Sequence, residues 1–315
     1  MSKDLTLAVA QVGGISIDED RTSVVTRLVA LLREAKMLGA DLVVFPELTL
    51  TAFFPRYHRD DVSDMDGYFE RSMPSPPVQP LFDAAKELGI GFHLGYAELT
   101  PEGRHFNTAI LVNANGEIVG KYRKIHLPGH AEPVPNSQFQ HLEKRYFEVG
   151  DLGFGVFDAF GARIGMAICN DRRWPETYRM LSLQGAELGL FGYNTPTMNW
   201  NPDEESHLIM FNHLLALQAG AYQNAMWIAA AAKAGREDGH RLIGGSVIIA
   251  PSGEIVAKAH TEADEVIAAP IDLEFGRHFR DFMLNFAAHR RPEQYGLLLE
   301  RTGYGDPLPV PRDRW

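Results

Sequence analysis

The sequence contains a single cysteine, Cys169, among its 315 residues. One cysteine excludes an intramolecular disulfide, so buried apolar side chains have to supply the stability, and a chain of this length can enclose a large core. Long apolar runs are also missing, since the longest, Ala225–Ala232, is well short of the ~18–20 residues of a membrane-spanning helix. The first residues resemble no targeting segment. We therefore expect a cytoplasmic protein with no membrane partner.

Basic residues are outnumbered, with 30 Lys and Arg against 41 Asp and Glu and a formal net charge of −11. Such a surface repels a phosphate backbone, so nucleic acid is not expected as a partner. The hydrophobic fraction of 45% and the charged fraction of 23% are those of a soluble globular protein.

Signatures of metal and cofactor sites are missing as well. His126 and His130 lie four residues apart, but Pro128 and Gly129 between them prevent the helix on which such a pair binds zinc. The glycine-rich stretches match neither a P-loop nor a dinucleotide fingerprint. Ser246 lacks the G-x-S-x-G frame of a hydrolase nucleophile. We expect neither a metal nor a cofactor.

Hydrophobic periodicity predicts strands that alternate with helices, which is typical of an α/β layered fold. The predicted helices cover 19–38, 78–88, 175–184 and 206–221. The predicted strands cover 5–11, 41–45, 90–94, 106–112, 118–122, 162–168, 186–191, 226–231, 244–250 and 255–259.

Two predicted hairpins resemble each other. One turns at Asn115-Gly116, a favoured two-residue turn, and the other at Ser252-Gly253. The strings Asn115-Gly-Glu-Ile-Val-Gly-Lys121 and Ser252-Gly-Glu-Ile-Val-Ala-Lys258 are nearly the same. Either this is what any good hairpin looks like, or the chain is a pseudo-repeat of two α/β halves with their sheets face to face.

No Pro/Ser-rich linker separates these halves, so we expect a single domain over residues 1–275. Residues 276–315 have little periodicity. We interpret them as a C-terminal extension that packs on the domain or on a partner subunit.

Cys169 ends an apolar strand, the place where α/β sheets put their ligands. A helix begins shortly after it, and Arg172 and Arg173 follow it. Both features favour the thiolate and predict a lowered pKa for this cysteine. The alternative is that Cys169 is a small core hydrophobe, as many lone cysteines are.

Glu47 and Lys124 also follow predicted strands. A carboxylate with little water around it suits Glu47 to take a proton from a thiol. Alternation along the hairpin strand points Arg123 and Lys124 to opposite faces, so one of them can turn inward. The alternatives are a surface glutamate and a solvated edge lysine.

Three strings carry a family resemblance: Val44-Phe-Pro-Glu-Leu48, Lys121-Tyr-Arg-Lys-Ile-His126 and Ile168-Cys-Asn-Asp-Arg-Arg-Trp-Pro-Glu176. They resemble, in order and spacing, the catalytic segments of the nitrilase, or carbon–nitrogen hydrolase, superfamily. Further segments resemble its N-carbamoyl-D-amino-acid hydrolase branch. These are Thr51–Arg56, Ile125–His130, Phe139–Phe147, Gly192–Pro196 and His289–Leu297.

The resemblance implies a four-layer αββα sandwich with a Glu-Lys-Cys triad. Cys169 would be the nucleophile, Glu47 the general base and Lys124 a donor to the oxyanion.

Further residues are implied to bind substrate or to support the triad. Glu143 would orient Lys124 or bind the leaving amine, and Arg172 or Arg173 would hold a substrate carboxylate. The other residues expected in this role are His126, His141, Asn170, Asn194 and Thr195.

The reaction expected from the resemblance is hydrolysis of N-carbamoyl-D-amino acids to D-amino acid, carbon dioxide and ammonia. The alternatives are another amidohydrolase of the superfamily, such as a β-ureidopropionase or an aliphatic amidase, and a non-catalytic binding or redox-sensing protein. Physics alone does not distinguish D from L substrates. The resemblance also implies a homodimer or homotetramer.

Overall fold

Strands and helices alternate along the chain from the first strand onward. The computed structural model describes residues 4–137, 139–197 and 206–305. The strands are β1 (Asp4–Gly13), β2 (Leu42–Val44), β3 (Gly91–Leu99), β4 (His105–Val112), β5 (Ile118–Arg123), β6 (Val156–Ala159), β7 (Ala162–Ile168), β8 (Leu188–Tyr193), β9 (Trp227–Glu237), β10 (His240–Ile243), β11 (Val247–Ile249), β12 (Ile255–Lys258) and β13 (Glu265–Asp272).

The helices lie between strands or beyond the last one. The α-helices are α1 (Arg21–Met37), α2 (Gln79–Leu88), α3 (Glu143–Tyr146), α4 (Pro175–Leu183), α5 (Ser206–Asn224), α6 (Phe275–Asp281), α7 (Phe286–His289) and α8 (Leu297–Glu300). Short 3₁₀ helices cover Phe54–Arg56, Val62–Tyr68, Cys169–Arg173 and Pro292–Gln294. No helix of the described residues is long and apolar enough to cross a membrane.

The strands form two sheets of the same design, which are joined where the end of β1 pairs with β9, and β10 pairs with the end of β9. The first has the order β13-β1-β2-β3-β4-β5, and the second the order β6-β7-β8-β9-β11-β12. In each, three parallel strands are followed by an antiparallel hairpin and preceded by an antiparallel edge strand. The equivalent positions of the two hairpins confirm the pseudo-repeat, with β4–β5 in one half and β11–β12 in the other.

The two sheets pack face to face between layers of helices. The inner cluster joins Leu7 and Val44 of the first sheet to Ile164 and Leu190 of the second. Helices α1 and α2 cover the outer face of the first sheet, and α4 and α5 cover the second, where Tyr178 stacks on Phe191. The arrangement is the expected four-layer αββα sandwich.

All of the strands and helices predicted from periodicity are present, with ends that differ by a few residues. Three strands were not predicted, namely β6, β10 and β13. Strand β13 pairs with β1 over eight residues, from Asp272 opposite Asp4 to Glu265 opposite Gln11. Its Pro270 weakens the strand signal in sequence, but an edge strand accommodates a residue without an N–H.

The segment after β13 packs only partly on the sandwich. The Arg280 guanidinium donates to the carbonyl oxygens of Ala225 at 3.2 Å and Ala186 at 2.6 Å. Large apolar side chains of this segment are exposed, including Phe282, Met283 and Leu299. Residues 306–315 of the predicted extension lie outside the described residues. The boundary at residue 275 stays a prediction.

Candidate active site

Glu47 lies three residues beyond β2 and is fully buried. Its Oε1 accepts hydrogen bonds from Lys124 Nζ at 2.7 Å and from Asn107 Nδ2 at 2.8 Å. Its Oε2 accepts one from the backbone N–H of Asn194 at 3.1 Å. The carboxylate is therefore held by a lysine, an amide side chain and the end of the opposing sheet.

Two glycines leave room for the backbone that carries Glu47. A Cβ on Gly95 of β3 would lie 2.8 Å from Glu47 Cα, and a Cβ on Gly192 of β8 would lie 2.7 Å from Glu47 N. The next residue, Leu48, has a left-handed φ of 45°. Glu47 thus sits on a tight turn wedged between the two sheets.

Lys124 follows β5 and is also fully buried. Its Nζ donates to Glu47 Oε1 and, at 2.5 Å, to Glu143 Oε2. Burial by itself lowers the pKa of Lys124, but the charges of Glu143 and Glu47 outweigh it and raise that pKa above its ordinary value. Arg123 points the other way and pairs with Glu98, as the predicted alternation requires.

Glu143 begins α3 and links Lys124 to a histidine. Its Oε1 lies 3.0 Å from His141 Nε2. Burial disfavours its charge, but Lys124 and His141 together hold the pKa of Glu143 below its ordinary value. The Nδ1 of His141 is buried and has no hydrogen-bond partner among the described residues. The structure thus places Glu143 where the resemblance expected a residue that orients Lys124.

Cys169 occupies the first position after β7 with a left-handed φ of 45°. Its Sγ lies 3.5 Å from Arg172 Nη1 and 3.9 Å from the carbonyl oxygen of Asn194, whose N–H holds Glu47. A left-handed non-glycine residue at this point is the strained geometry often found at functional sites.

The predicted lowering of the Cys169 pKa is wrong. Burial raises the pKa of this thiol, and the charge of Glu47 raises it further, while Lys124 and Arg172 only partly offset them. Helix α4 begins six residues after Cys169, with a 3₁₀ turn between them, so the cysteine is not at its first turn. The environment of the sulfur therefore favours the thiol over the thiolate.

Asp171 fixes the turn that presents Cys169. Its buried carboxylate accepts hydrogen bonds from the backbone N–H of Ile168 at 2.9 Å and from Tyr122 Oη at 2.8 Å. It also lies 2.7 Å from His126 Nδ1. His126 therefore acts on the turn through Asp171, and its ring stacks on Trp174 with a centroid separation of 5.4 Å.

The two consecutive arginines have different environments. Arg172 is buried, and its guanidinium donates to His213 Nδ1 at 2.9 Å, to Cys169 O at 2.7 Å and to Thr195 Oγ1 at 2.8 Å. These bonds tie Nε, Nη1 and Nη2 to protein groups, so of the two arginines predicted for a substrate carboxylate, Arg172 is the one engaged inside the protein. Arg173 is exposed and lines the cavity in front of Cys169.

That cavity has a volume of about 440 Å³. Its cationic wall carries Lys144 and Arg173, and its described lining contains no carboxylate. The remaining described lining residues are Leu127, Pro128, Gly129, His130, His141, Cys169, Asn170, Trp174, Asn194, Thr195 and Pro196. The side-chain oxygen and nitrogen of Asn194 are buried without a partner among the described residues, so they can receive a ligand.

The structure brings together every site residue predicted from sequence. Those that line the cavity are His141, Cys169, Asn170, Arg173, Asn194 and Thr195, and those that lie behind it are Glu47, Lys124, Glu143, His126 and Arg172. Sequence reasoning missed Asn107, Asp171 and His213. Asn107 and Thr108 are the polar residues of the predicted strand 106–112, which was a usable signal. His213 lies on α5, and no motif in the sequence around it indicates that it belongs to the site.

Within residues 4–137, 139–197 and 206–305, no three His, Cys, Asp or Glu side chains converge as metal ligands would.

The family described as carbon-nitrogen hydrolase matches residues 6–281. The chain belongs to this family. This carbon–nitrogen hydrolase is 33% identical over 285 residues to an N-carbamoylputrescine amidase of Arabidopsis thaliana, covering 87% of this chain and 89% of the relative. It is 32% identical over 268 residues to a nitrilase of Pyrococcus abyssi, covering 84% and 89%.

A solved structure agrees with the fold of this carbon–nitrogen hydrolase. The carbon-nitrogen hydrolase of Helicobacter pylori superimposes with a TM-score of 0.82 at 25% identity, covering 95% of this chain and 99% of that one. The resemblance to the nitrilase superfamily is confirmed. The protein is an amidohydrolase that acts on carbon–nitrogen bonds other than peptide bonds.

Proposed function

We propose that this amidohydrolase cleaves N-carbamoyl-D-amino acids to D-amino acid, carbon dioxide and ammonia. The observation that carries the proposal is the cavity over Cys169, whose described lining holds the cations Lys144 and Arg173 and no carboxylate. A carboxylate on the substrate is attracted to such a wall, whereas the ammonium end of a carbamoylated polyamine is repelled by it.

A second cavity supports an amino acid that has a side chain. It has a volume of about 320 Å³ and shares Leu127, Lys144, Asn170 and Trp174 with the first. Ile125, Phe147 and Val149 complete an apolar wall. A carboxylate near Lys144 would leave the substrate side chain on this wall, which favours an α-amino acid over the β-ureidopropionate alternative, since that substrate has no side chain.

The reaction begins with a proton transfer. Glu47 takes the Cys169 proton, and the thiolate attacks the carbamoyl carbon. Lys124 and the backbone N–H after Cys169 stabilise the oxyanion, a contribution commonly of ~3 kcal/mol for each donor. Glu47 returns the proton to the departing ammonia, and the substrate remainder stays bound to Sγ as a thiocarbamate.

Water completes the cycle. Glu47 removes a proton from a water molecule that attacks the same carbon, the carbon–sulfur bond breaks, and the sulfur regains its proton. The product is an N-carboxy amino acid, a carbamate that loses carbon dioxide to give the free amino acid. Glu143 binds Lys124 Nζ and His141 binds Glu143, so the two keep Lys124 in place during both steps.

The D configuration rests on the segments that resemble the N-carbamoyl-D-amino-acid hydrolase branch. A carboxylate-binding wall argues against a simple aliphatic amide, and a buried base held within hydrogen-bonding reach of a lysine argues against a mere binding or redox-sensing protein.

The test is a comparison of kcat/KM by ammonia release. The substrates are N-carbamoyl-D-phenylalanine, its L form, N-carbamoyl-β-alanine, N-carbamoylputrescine and propionamide. We expect the D substrate to be cleaved at least tenfold faster than each of the others. Faster cleavage of the L form would overturn the configuration, and faster cleavage of N-carbamoylputrescine or propionamide would overturn the carboxylate-bearing substrate.

A further inference from the structure

A second cluster of buried charges lies beside the active site. Arg56, Lys233 and Glu237 are each at most 5% exposed, and the reaction described above uses none of them. Glu237 Oε1 accepts from Arg56 Nη2 at 2.9 Å, and Glu237 Oε2 accepts from Lys233 Nζ at 3.0 Å. The cluster thus contains two cations around one carboxylate.

The cluster is tied to the segment that continues from Glu47. Lys233 Nζ donates to the carbonyl oxygen of Thr51, and Glu237 Oε1 accepts from the backbone N–H of Phe53 at 2.7 Å. The Phe53 ring in turn contacts the edge of His141, with ring centroids 5.3 Å apart. Residues 51–56 therefore bridge the two clusters.

Strand β9 brings Lys233 close to the base as well. The residue before Lys233 in the chain, Ala232, pairs with Tyr193 of β8. The next residue, Asn194, donates its N–H to Glu47. The charge of Glu47 is felt at Lys233, where it opposes the lowering of the pKa of Lys233 that burial causes.

The charges of the two clusters are complementary. Glu47, Lys124 and Glu143 together carry −1 when ionised, because two carboxylates share one ammonium. Arg56, Lys233 and Glu237 together carry +1. A net charge buried away from water is costly, and a charge of the opposite sign nearby reduces that cost.

We propose that the Arg56–Lys233–Glu237 cluster is the counter-charge that lets Glu47 and Glu143 be ionised together beside a neutral thiol. These residues touch neither substrate nor reacting atoms and act through the two carboxylates. The inference rests on the proposed role of Glu47 as base.

Several other titratable or charged side chains lie in the same environment and must be left unsubstituted in any test. They are Lys124 beyond β5, His141 before α3, Cys169 and Arg172 in the turn beyond β7, and His93 of β3, whose pKa burial lowers to about 4.

The test uses two substitutions that change the cluster charge in opposite directions. Lys233→Met removes a positive charge, so the carboxylates protonate more readily. The acid limb, which is the low-pH side of the pH profile of kcat/KM, therefore moves to higher pH. Glu237→Gln removes a negative charge, so that limb moves to lower pH. We expect each shift to be about one pH unit, the size of the effect of one unit charge across about 12 Å at an effective dielectric of about 20.

A purely structural role predicts something else. Both substitutions disturb a buried network and lower the melting temperature. Loss of structure alone, however, does not move the acid limb to higher pH in one variant and to lower pH in the other. Lys233→Arg keeps the charge and should keep the acid limb of the parent. If Lys233→Met fails to fold, Arg56→Met removes the same charge and should shift the limb in the same direction.

The outcomes separate this inference from the proposed function. Limbs that coincide with the parent, or that move in the same direction in Lys233→Met and Glu237→Gln, would overturn the counter-charge while leaving the base assignment standing. Turnover that survives in Glu47→Gln would instead overturn the base, and the counter-charge with it.

Discussion

At the scale of single residues, the thiol of Cys169 is held between opposing charges. Glu47 and burial raise its pKa, whereas Lys124 and Arg172 lower it. The environment favours the protonated sulfur and places the carboxylate of Glu47, the proposed base, close enough for its charge to act on the thiol. A thiol of this kind reacts slowly with adventitious electrophiles, because the thiolate is the nucleophilic form.

Glu47→Gln separates ionisation of the sulfur from turnover. Removing the carboxylate charge lowers the pKa of Cys169, so the pH midpoint of its alkylation by iodoacetamide should fall, while kcat drops at least a hundredfold because the base is gone. Alkylation followed by mass spectrometry, with ammonia release in parallel, measures both. Glu87→Gln, on the exposed face of α2, is the matched control. An unchanged or raised midpoint would contradict this account of the site.

The cationic wall of the cavity makes a second prediction. Arg173→Gln and Lys144→Gln should raise KM for an N-carbamoyl amino acid about tenfold, and should change KM for its uncharged methyl ester much less, because only the acid form loses an ion pair. Steady-state kinetics on the two substrates give the ratio. Arg163→Gln, an exposed arginine at the start of β7, should leave the ratio as it is. Equal losses on acid and ester would remove these residues from carboxylate binding.

The sequence was sufficient to locate the three proposed reacting residues, but not to predict the role of each neighbouring side chain. Glu47, Lys124 and Cys169 each follow a predicted strand, and strand ends meet at one edge of a sheet. Arg172 and Arg173 are adjacent in sequence, yet one is buried against His213 and Thr195 and the other lines the cavity. The direction of each side chain depends on the 3₁₀ turn at Cys169–Arg173, which periodicity did not reveal.

At the scale of elements, the site depends on how closely β3 and β8 approach the turn at Glu47. Gly95 and Gly192 provide that approach, one from each sheet. A side chain at either position would displace the backbone at Glu47. In a packed core such a shift changes the geometry of the site.

Gly192→Ala should therefore lower kcat by at least tenfold with less effect on KM, because its Cβ would lie 2.7 Å from Glu47 N and push the base away from Lys124. Stability should fall as well, by about 1–3 kcal/mol, as overpacking does. Kinetics and denaturant unfolding measure the two effects. Gly67→Ala is the control, since a Cβ there meets nothing within 4 Å. A Gly192→Ala enzyme with the parent's kcat would contradict the wedge between the sheets.

Most elements were predictable because their apolar residues recur at helical or strand spacing. The repeat of the string Gly-Glu-Ile-Val in the two hairpins left open a common hairpin pattern or two similar halves, and the sheet topology decides for two similar halves. Strand β13 could not be predicted, because Pro270 interrupts its pattern and its pairing with β1 spans most of the chain. That pairing is set by tertiary structure rather than by local propensity.

At the scale of the whole molecule, the exposed apolar side chains of the C-terminal segment favour association of identical chains. Phe282, Met283, Leu298 and Leu299 are all more than 60% exposed, which is unusual for a contiguous segment of a monomer. We expect light scattering to report at least twice the chain mass of 35.1 kDa. Replacing Phe282 and Leu299 by Asp should shift the protein toward the monomer. A parent protein that is already monomeric would contradict the prediction.

The central claim is that Cys169 becomes covalently bonded to the substrate during hydrolysis of an N-carbamoyl-D-amino acid. Acid quenching during turnover, followed by mass spectrometry of the intact chain, tests it most directly. We predict an adduct on Cys169 with the mass of the substrate less ammonia in the parent enzyme, and neither adduct nor ammonia release in Cys169→Ala. Ammonia release that persists in Cys169→Ala, or an adduct on another residue, would contradict the account.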